Sequence, residues 1–345
     1  MDFSVAAILA QDGITSGAIY ALLALALVLV FSVTRVIFIP QGEFVAFGAL
    51  TMAALQSNQF AQSVTLQVAL GAAVFVQEVV ARWRGGATNL PWAFIKFIVL
   101  PLALFGFVRS VGTAQLPILV QVALALAIVV PLGPMIYRLA FAPLAEASTL
   151  VLLIVSVGVH FALLGLGLVM FGAEGARTTP FSDAHLSFGA LQVSGQSLVI
   201  LAVSLSLILT LYLYFDRTLS GKALRATAIN RRGAQLVGIG TTQAGRLAFT
   251  LAAGLGALCG VLIAPLTTVY YDSGFLIGLK GFVGAILGGL GSYPIAAAGA
   301  LLVGLLESYA SFWASAFKEV IVFTLIIPVL LWRSLTTSHA DEGEQ

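Results

Sequence analysis

Charge is scarce in this chain. Only 9% of its 345 residues are Asp, Glu, Lys or Arg, against about a quarter in a soluble domain, while 60% are hydrophobic and the mean hydropathy is +1.07. That balance excludes a soluble core and places the chain in a membrane. The 16 basic residues exceed the 14 acidic ones by two, and no basic strip of nucleic-acid-binding length occurs, so no nucleic-acid partner is expected. The single cysteine, Cys259, lies in an apolar run, which rules out a disulfide within the chain, a metal pair or a redox pair and leaves it to packing. The opening MDFSVAAILAQDGI lacks the basic n-region and small-residue cleavage site of a signal peptide and leads directly into an apolar stretch, so it is read as retained. Enzymatic signatures are missing as well: there is no G-x-x-x-x-G-K-S/T phosphate loop, no H-E-x-x-H and no Ser/His/Asp elbow. No catalytic residue, no metal site and no cofactor of the chain's own is predicted.

What is present is a succession of apolar stretches bounded by charge, Pro or Gly. They fall at roughly 14 to 34, 36 to 55, 62 to 80, 93 to 111, 116 to 137, 149 to 171, 197 to 215, 246 to 268, 276 to 291, 295 to 315 and 317 to 334. The expected fold is all-α, a polytopic transmembrane helical bundle of about 8 to 11 spans in one domain over 1 to 345. Two stretches are weak. The one at 36 to 55 contains Pro40 and Glu43, and the one at 276 to 291 is short and Gly-rich. Either is broken or re-entrant only where protein or water satisfies its backbone.

Lys and Arg placement sets the orientation. With 216 to 245 in the cytoplasm and alternation outwards from it, Arg35, Arg82, Arg84, Arg138 and Arg333 also fall inside, whereas Arg109, Arg177 and Lys318 fall outside. The N-terminus is then external, the tail 335 to 345 (ADEGEQ at its end) is cytoplasmic, and 172 to 196 is the main external loop. Its Thr, Pro, Ser and Gly content suits turns and an interfacial hairpin.

Residues 221 to 240, GKALRATAINRRGAQLVGIG, hold four cations and no acid. The pattern predicts a short surface helix from Lys222 to Val237 with Leu224, Ala228 and Ile229 on one side, closed by Gly238 and Gly240. An ordinary positive-inside loop resting on anionic lipid explains the charge. It does not explain a length of about thirty residues, when the other connections are a handful each.

Here the residues resemble a family. GKALRATAINRRGAQLVGIGTTQAGRLAFTLAAGLGALCGVLIAP is similar to the cytoplasmic loop and following helix of the permeases of branched-chain amino acid ABC importers, with Gly221, Arg225, Ala226, Ala228, Asn230, Ala234, Leu236, Gly238 and Ile239 on the pattern. The similarity continues through GLKGFVGAILGGLGSYPIAAAGALLVGLLES and FKEVIVFTLIIPVLL, and at the front through GITSGAIYALLALALVLVFSVTRVIFIPQGEFVAFGAL. Departures are Phe38, Ile39 and Pro40 in place of N-F-A before Gln41, Gly42 and Glu43, Ile229 in place of a polar residue, and a missing terminal motif after Trp332 and Arg333. Residues 77 to 115 look like an insertion carrying an extra span.

The resemblance implies a multi-pass protein of the bacterial plasma (inner) membrane, a permease that translocates branched-chain or related amino acids. Its implied partners are a second homologous permease, two ATP-binding subunits and a solute-binding protein, and ATP would be bound by those partner subunits. Gly221, Arg225, Ala226, Asn230, Leu236 and Gly238 would then belong to a coupling helix. Urea, short amides or aromatic acids are alternative solutes, and an ion-coupled secondary carrier is the rival class.

A charge at the centre of a span costs about 2.5–3.5 kcal/mol on insertion scales, so Glu43 and Glu307 have to be paired, neutral or facing water. Either they line or brace the translocation path, together with Gln41 and Gly42, or each is held by backbone amides or by a neighbour such as Lys280. Weak binding along an amino-acid path argues for the held reading at Glu307. The Pro40 and Gly42 break argues for the path at Glu43. Gly256 with Gly260 and Gly284 with Gly288 suit close packing within the bundle more than a dimer seam. His160 is expected to hydrogen-bond between helices, with no acid evident in its layer for a proton relay, and Lys280 and Lys318 are expected to be interface anchors.

Overall fold

The computed structural model describes residues 3–85, 89–188, 191–324, 327–329 and 331. The expected cytoplasmic tail at 335 to 345, Arg333 and most of the end of the last apolar stretch lie outside them. The chain runs through α1 (Phe3–Thr34), α2 (Gln41–Gln56), α3 (Ser63–Trp83), α4 (Leu90–Ser110), α5 (Ile118–Leu144) and α6 (Thr149–Phe171). The hairpin β1 (His185–Phe188) and β2 (Leu191–Ser194) follows. After it come α7 (Gly195–Arg217), α8 (Leu219–Ile229), α9 (Arg231–Leu236), α10 (Thr241–Ile263), α11 (Ser273–Leu287), α12 (Tyr293–Trp313) and α13 (Lys318–Thr324). Eight of these, α1, α3 to α7, α10 and α12, are long and apolar enough to cross a membrane. The fold is therefore an all-α polytopic bundle, with the two strands pairing antiparallel in the stretch where a hairpin is expected.

Three of the helices start on a side-chain cap, which relieves one of the four unpaired N–H groups of a helix start. Ser148 accepts from Val151 N at α6, Ser194 from Ser197 N at α7 and Thr218 from Gly221 N at α8. α2 and α11 have no such cap. Both begin inside the protein.

The two weak apolar stretches are these two helices. α1 ends at Arg35, which takes the left-handed φ of 62°, and residues 35–40 turn back without helix until Pro40 opens α2. Proline suits that position because its missing N–H is one that the helix start leaves unpaired anyway. Gln41 then lies beside Ala252, halfway along α10. From the other side, residues 264–272 leave the C-terminal end of α10 and α11 begins against the start of α2. A Cβ on Gly42 would strike the Gly274 carbonyl, and one on Gly278 would strike the Gly42 backbone. Two apolar segments, each an irregular stretch followed by a helix, thus cross backbone to backbone with opposite directions. Neither is an unbroken span.

Among the eight membrane-length helices α1 and α10 are the most buried, and Phe38 anchors the irregular stretch between α1 and α2. Its ring lies 4.7 Å from Phe249, 5.9 Å from Phe44 and 5.9 Å from Phe141. Gly256 and Gly260 receive α2, and Gly284 and Gly288 receive Ala300 and Ala296 of α12. All four glycines therefore work inside the bundle.

Gly42→Ala is expected to lower thermal stability in detergent by about 1–3 kcal/mol, the usual cost of overpacking a filled site. Gly106→Ala, in α4 with open space around it, should be neutral or stabilising. Equal melting of both variants would contradict the crossing.

Candidate functional site: a buried polar crossing and a basic elbow

The crossing of α2 and α11 holds the most buried carboxylate among the described residues. Glu43 sits in the first turn of α2, where the positive end of the helix dipole favours a carboxylate. It is 1% exposed, and His160 Nδ1 of α6 lies 2.7 Å from its Oε1. The His160 ring in turn rests on Phe275, in the first turn of α11, at 4.7 Å. The start of α11 therefore reaches the same point as the start of α2. Ser156, one turn before His160, serves the same region: its Oγ accepts the Ile39 N–H at 2.9 Å and supports the irregular stretch. Gln41 gives its amide to the Ala252 carbonyl. Among the described residues, Glu43 Oε2 and Gln41 Oε1 have no hydrogen-bond partner. The crossing thus keeps unused acceptor capacity in a dry place, which is costly unless it has a use.

His160 bridges helices as the sequence suggests, but the absence of an acid in its layer does not hold: Glu43, 117 residues away in the chain, supplies one. No local signal connects the two, because α2 and α6 meet only in the folded bundle.

Glu307 on α12 is a different kind of carboxylate. Lys280 Nζ donates to Oε1 at 2.6 Å and Tyr20 OH donates to Oε2 at 2.6 Å. Both oxygens are engaged by α11 and α1, so the group ties three helices together. Lys280 is 6% exposed and is no interface anchor. Its short reach to Glu307 corrects that expectation, since a paired lysine has no need to snorkel. Gln41, Gly42 and Glu43 lie together, and Glu307 belongs to this separate cluster.

The 216 to 245 loop folds as an elbow of two helices rather than one. Asn230 is extended, with φ −147° and ψ 101°, and its side chain accepts the Gly233 N–H at 2.8 Å to start α9. An asparagine that caps a new helix breaks the old one. Gly221 lets α8 press against the Tyr214 carbonyl, and Gly238 closes α9 at φ 84°. Leu224 anchors α8 among Leu29, Val33, Ala244 and Ala248, with Ala228 packed beside them. Ile229 does not share that side. Five residues on from Leu224 it is turned about 140° away and is exposed. Arg225 is exposed at the rim of a cleft of about 450 Å³ that Leu211, Phe215 and Tyr293 also line. Ala226 is half-buried, and Leu236 stands out at 88% exposure. Arg231 donates to the Ala145 carbonyl at 2.9 Å, tying the elbow to the connection between α5 and α6.

Membrane-length helices interrupted at mid-depth around a buried acid, with a capped basic elbow on one face, define a polytopic membrane transport protein. The family described as branched-chain amino acid transport system / permease component matches residues 9–330, and the chain belongs to it. It is a permease component, and its role is transport. It is similar to the high-affinity branched-chain amino acid transport system permease protein BraD of Pseudomonas aeruginosa, 29% identical over 257 residues, 72% of this chain and 82% of that one. The permease protein LivH of Escherichia coli K12 is 27% identical over 253 residues, covering 71% of this chain and 81% of the relative. A probable LivH permease of Methanocaldococcus jannaschii is 30% identical over 190 residues, 53% and 60% of the two chains. No solved structure matches the chain.

Lys280→Met should destabilise the bundle by about 3–5 kcal/mol because it strands the Glu307 carboxylate, whereas Lys280→Met with Glu307→Leu should recover most of the loss. Thermal unfolding of both in detergent decides this. A double variant as unstable as the single one would show that the pair is not what holds Glu307.

Proposed function

We propose that this chain forms one half of the channel of an ATP-driven importer in a bacterial plasma membrane, carrying branched-chain or related amino acids. The solute is carried over from the names of the relatives. The observation that supports ATP coupling most directly is the outer surface of the elbow. Leu219, Ile229, Leu236 and Val237 are each 76–88% exposed on an element whose two helices are capped by Thr218 and Asn230. Apolar side chains held rigidly outside a folded unit mark a partner surface, and the surrounding cations keep that surface out of the hydrocarbon.

The partner we assign to it is an ATP-hydrolysing subunit, one of two, with a second homologous permease beside this chain and a solute-binding protein above the 172–196 loop. ATP is bound by those subunits. In this reading Gly221, Asn230 and Gly238 give the elbow its shape, Ala226 packs its flank, and Arg225 and Leu236 are presented for contact. Residues 77–115 are an inserted segment whose extra span is α4.

Transport follows by alternating access, in which binding energy at the elbow shifts the population between inward and outward states. Glu43, Gln41 and Gly42 face the path where the two half-helices cross. The unpaired acceptors of Glu43 and Gln41 support this assignment, and so does the convergence of two helix starts, the arrangement that transporters use at mid-membrane sites. Glu307 braces that crossing through Lys280 and Tyr20.

Arg225→Glu is expected to abolish uptake and co-purification of the ATP-hydrolysing subunit while leaving membrane insertion intact. A crosslinker at Leu236→Cys that never captures a nucleotide hydrolase would overturn the coupling assignment. Glu43→Gln should cut uptake roughly 10- to 100-fold at unchanged expression, the scale of losing a charge-assisted hydrogen bond of about 1.5–3 kcal/mol. Unchanged uptake would remove Glu43 from the path. Labelled leucine, urea and an aromatic acid, tested against the chain's own binding protein, identify the solute. Uptake by the chain alone in vesicles under a proton or sodium gradient would favour a secondary carrier.

A further inference from the structure

A further cleft of the bundle lies away from both regions described above. It has a volume of about 590 Å³ and sits between α4 and the α5–α10 side of the core. Phe97, Leu100, Leu104 and Phe107 of α4 form one wall, and Pro131, Pro134 and Met135 of α5 line the other. Three cations share this apolar slot: Lys96, Arg138 and Arg246. Each lies five or six residues from the inner end of its span, roughly 8–9 Å along the helix axis, so the three stand at one depth on the cytoplasmic side. They lie close enough that Arg246 and Arg138 both repel Lys96 electrostatically.

Only one carboxylate answers them. Glu78 of α3 pairs with Arg138, and among the described residues no ion pair forms to Lys96 or Arg246. Two uncompensated charges remain against walls of hydrocarbon. Each costs about 2.5–3.5 kcal/mol at the centre of a span and less towards its end, and each gains from any anion that can enter an apolar space. Phe97 is shared by two of the cations, with Lys96 Nζ 5.4 Å and the Arg138 guanidinium 5.8 Å from its ring. Deeper in the slot, Gln67 is 4% exposed and its Oε1 has no partner among the described residues.

The backbone is shaped to present these charges. Lys96 lies in a π-helical turn, Ile95–Val99, and Arg138 in another, Tyr137–Phe141. Such turns add a residue to the helix at a cost and recur where a side chain has to be aimed for function. Pro101 and Gly71 help to set the first of them. Pro101 cannot return a hydrogen bond to the Phe97 carbonyl, and the bare Cα of Gly71 lets that carbonyl approach α3.

We propose that this cleft binds an anionic phospholipid of the inner leaflet, its phosphate held by Lys96, Arg138 and Arg246 and one acyl chain laid along Phe97, Leu100, Leu104 and Phe107. Charge and shape point to one occupant. Free phosphate satisfies the cations but not the slot, and a zwitterionic lipid fills the slot but carries a cation of its own to the charged end. Basic pockets between membrane helices on the cytoplasmic side are suited to such headgroups. The bound lipid bridges α4 to α10, the helix that follows the elbow.

Native mass spectrometry of the full-length chain, exchanged into phosphatidylglycerol or phosphatidylcholine, tests this. Wild-type protein is expected to retain phosphatidylglycerol in preference to phosphatidylcholine. Lys96→Gln and Arg246→Gln should each weaken retention about 5-fold, and the pair about 30-fold, from about 1 kcal/mol per cation. Lys222→Gln, a cation on the elbow, should leave retention unchanged. Leu104→Trp, which fills the slot and leaves every cation in place, should also expel the lipid and keeps the test decisive if the charge variants fail to fold. Excess inorganic phosphate should not displace the lipid. Equal retention of the two lipids by wild type, retention unaffected by the charge variants or by Leu104→Trp, or displacement by phosphate would each overturn the proposal.

Discussion

A helix that starts inside a membrane leaves N–H groups facing a solvent that cannot bond them, and this bundle has two such starts. Each unpaired group in hydrocarbon costs several kcal/mol, so the crossing of α2 and α11 has to be closed by protein on every side. The structure does so with tight first turns, Glu43 N–H to Pro40 and Phe275 N–H to Asp272, and with Ser156 on the preceding extended stretch. The glycines follow from the same need. Only bare Cα atoms at 42, 274 and 278 let two backbones approach closely enough to exclude lipid. The position of every surrounding helix, α1, α6, α10 and α12 above all, is set by having to wall in that point.

The two buried acids show how one chemical group is given two characters by its surroundings. Glu307 meets a lysine and a phenol, and both its oxygens are spent on holding α1, α11 and α12 together. Glu43 meets one imidazole at 2.7 Å and retains a free acceptor. A saturated pair resists rearrangement because any motion breaks two strong bonds. An unsaturated one tolerates an exchange of partners. The contrast separates a rigid flank of the bundle from a flank that has bonding capacity to offer.

Much of this was legible in the residues. Hydropathy marks all eight long helices, because a span must be apolar throughout its length, although α1 begins 11 residues before its expected start and α5 runs seven residues past its expected end. Pro40 and the glycines of 276–291 mark the two broken segments, because those residues act on the backbone locally. The single helix expected at 222–237 fails for an equally local reason, the capping asparagine at 230, which the sequence contained and which composition alone does not weigh. The sequence offers Lys280 as a neighbour to hold Glu307, but it does not offer His160 as a partner for Glu43. Partners 117 residues apart are joined by the depth at which their helices cross, and periodicity carries no depth. The paired π turns carrying Lys96 and Arg138 are equally silent, since one added residue leaves the apolar pattern intact.

The bond from Arg231 to the Ala145 carbonyl joins two parts of the molecule that are otherwise distant. Ala145 stands three residues before Ser148, which caps α6, and α6 is an uninterrupted rod that carries both Ser156 and His160. One guanidinium and one unbroken helix therefore connect the elbow to the imidazole that holds the buried acid. The Ala145 contact, the Ser148 cap and His160 lie within sixteen residues of one another, so the elbow and the buried acid are tied to one short stretch of chain.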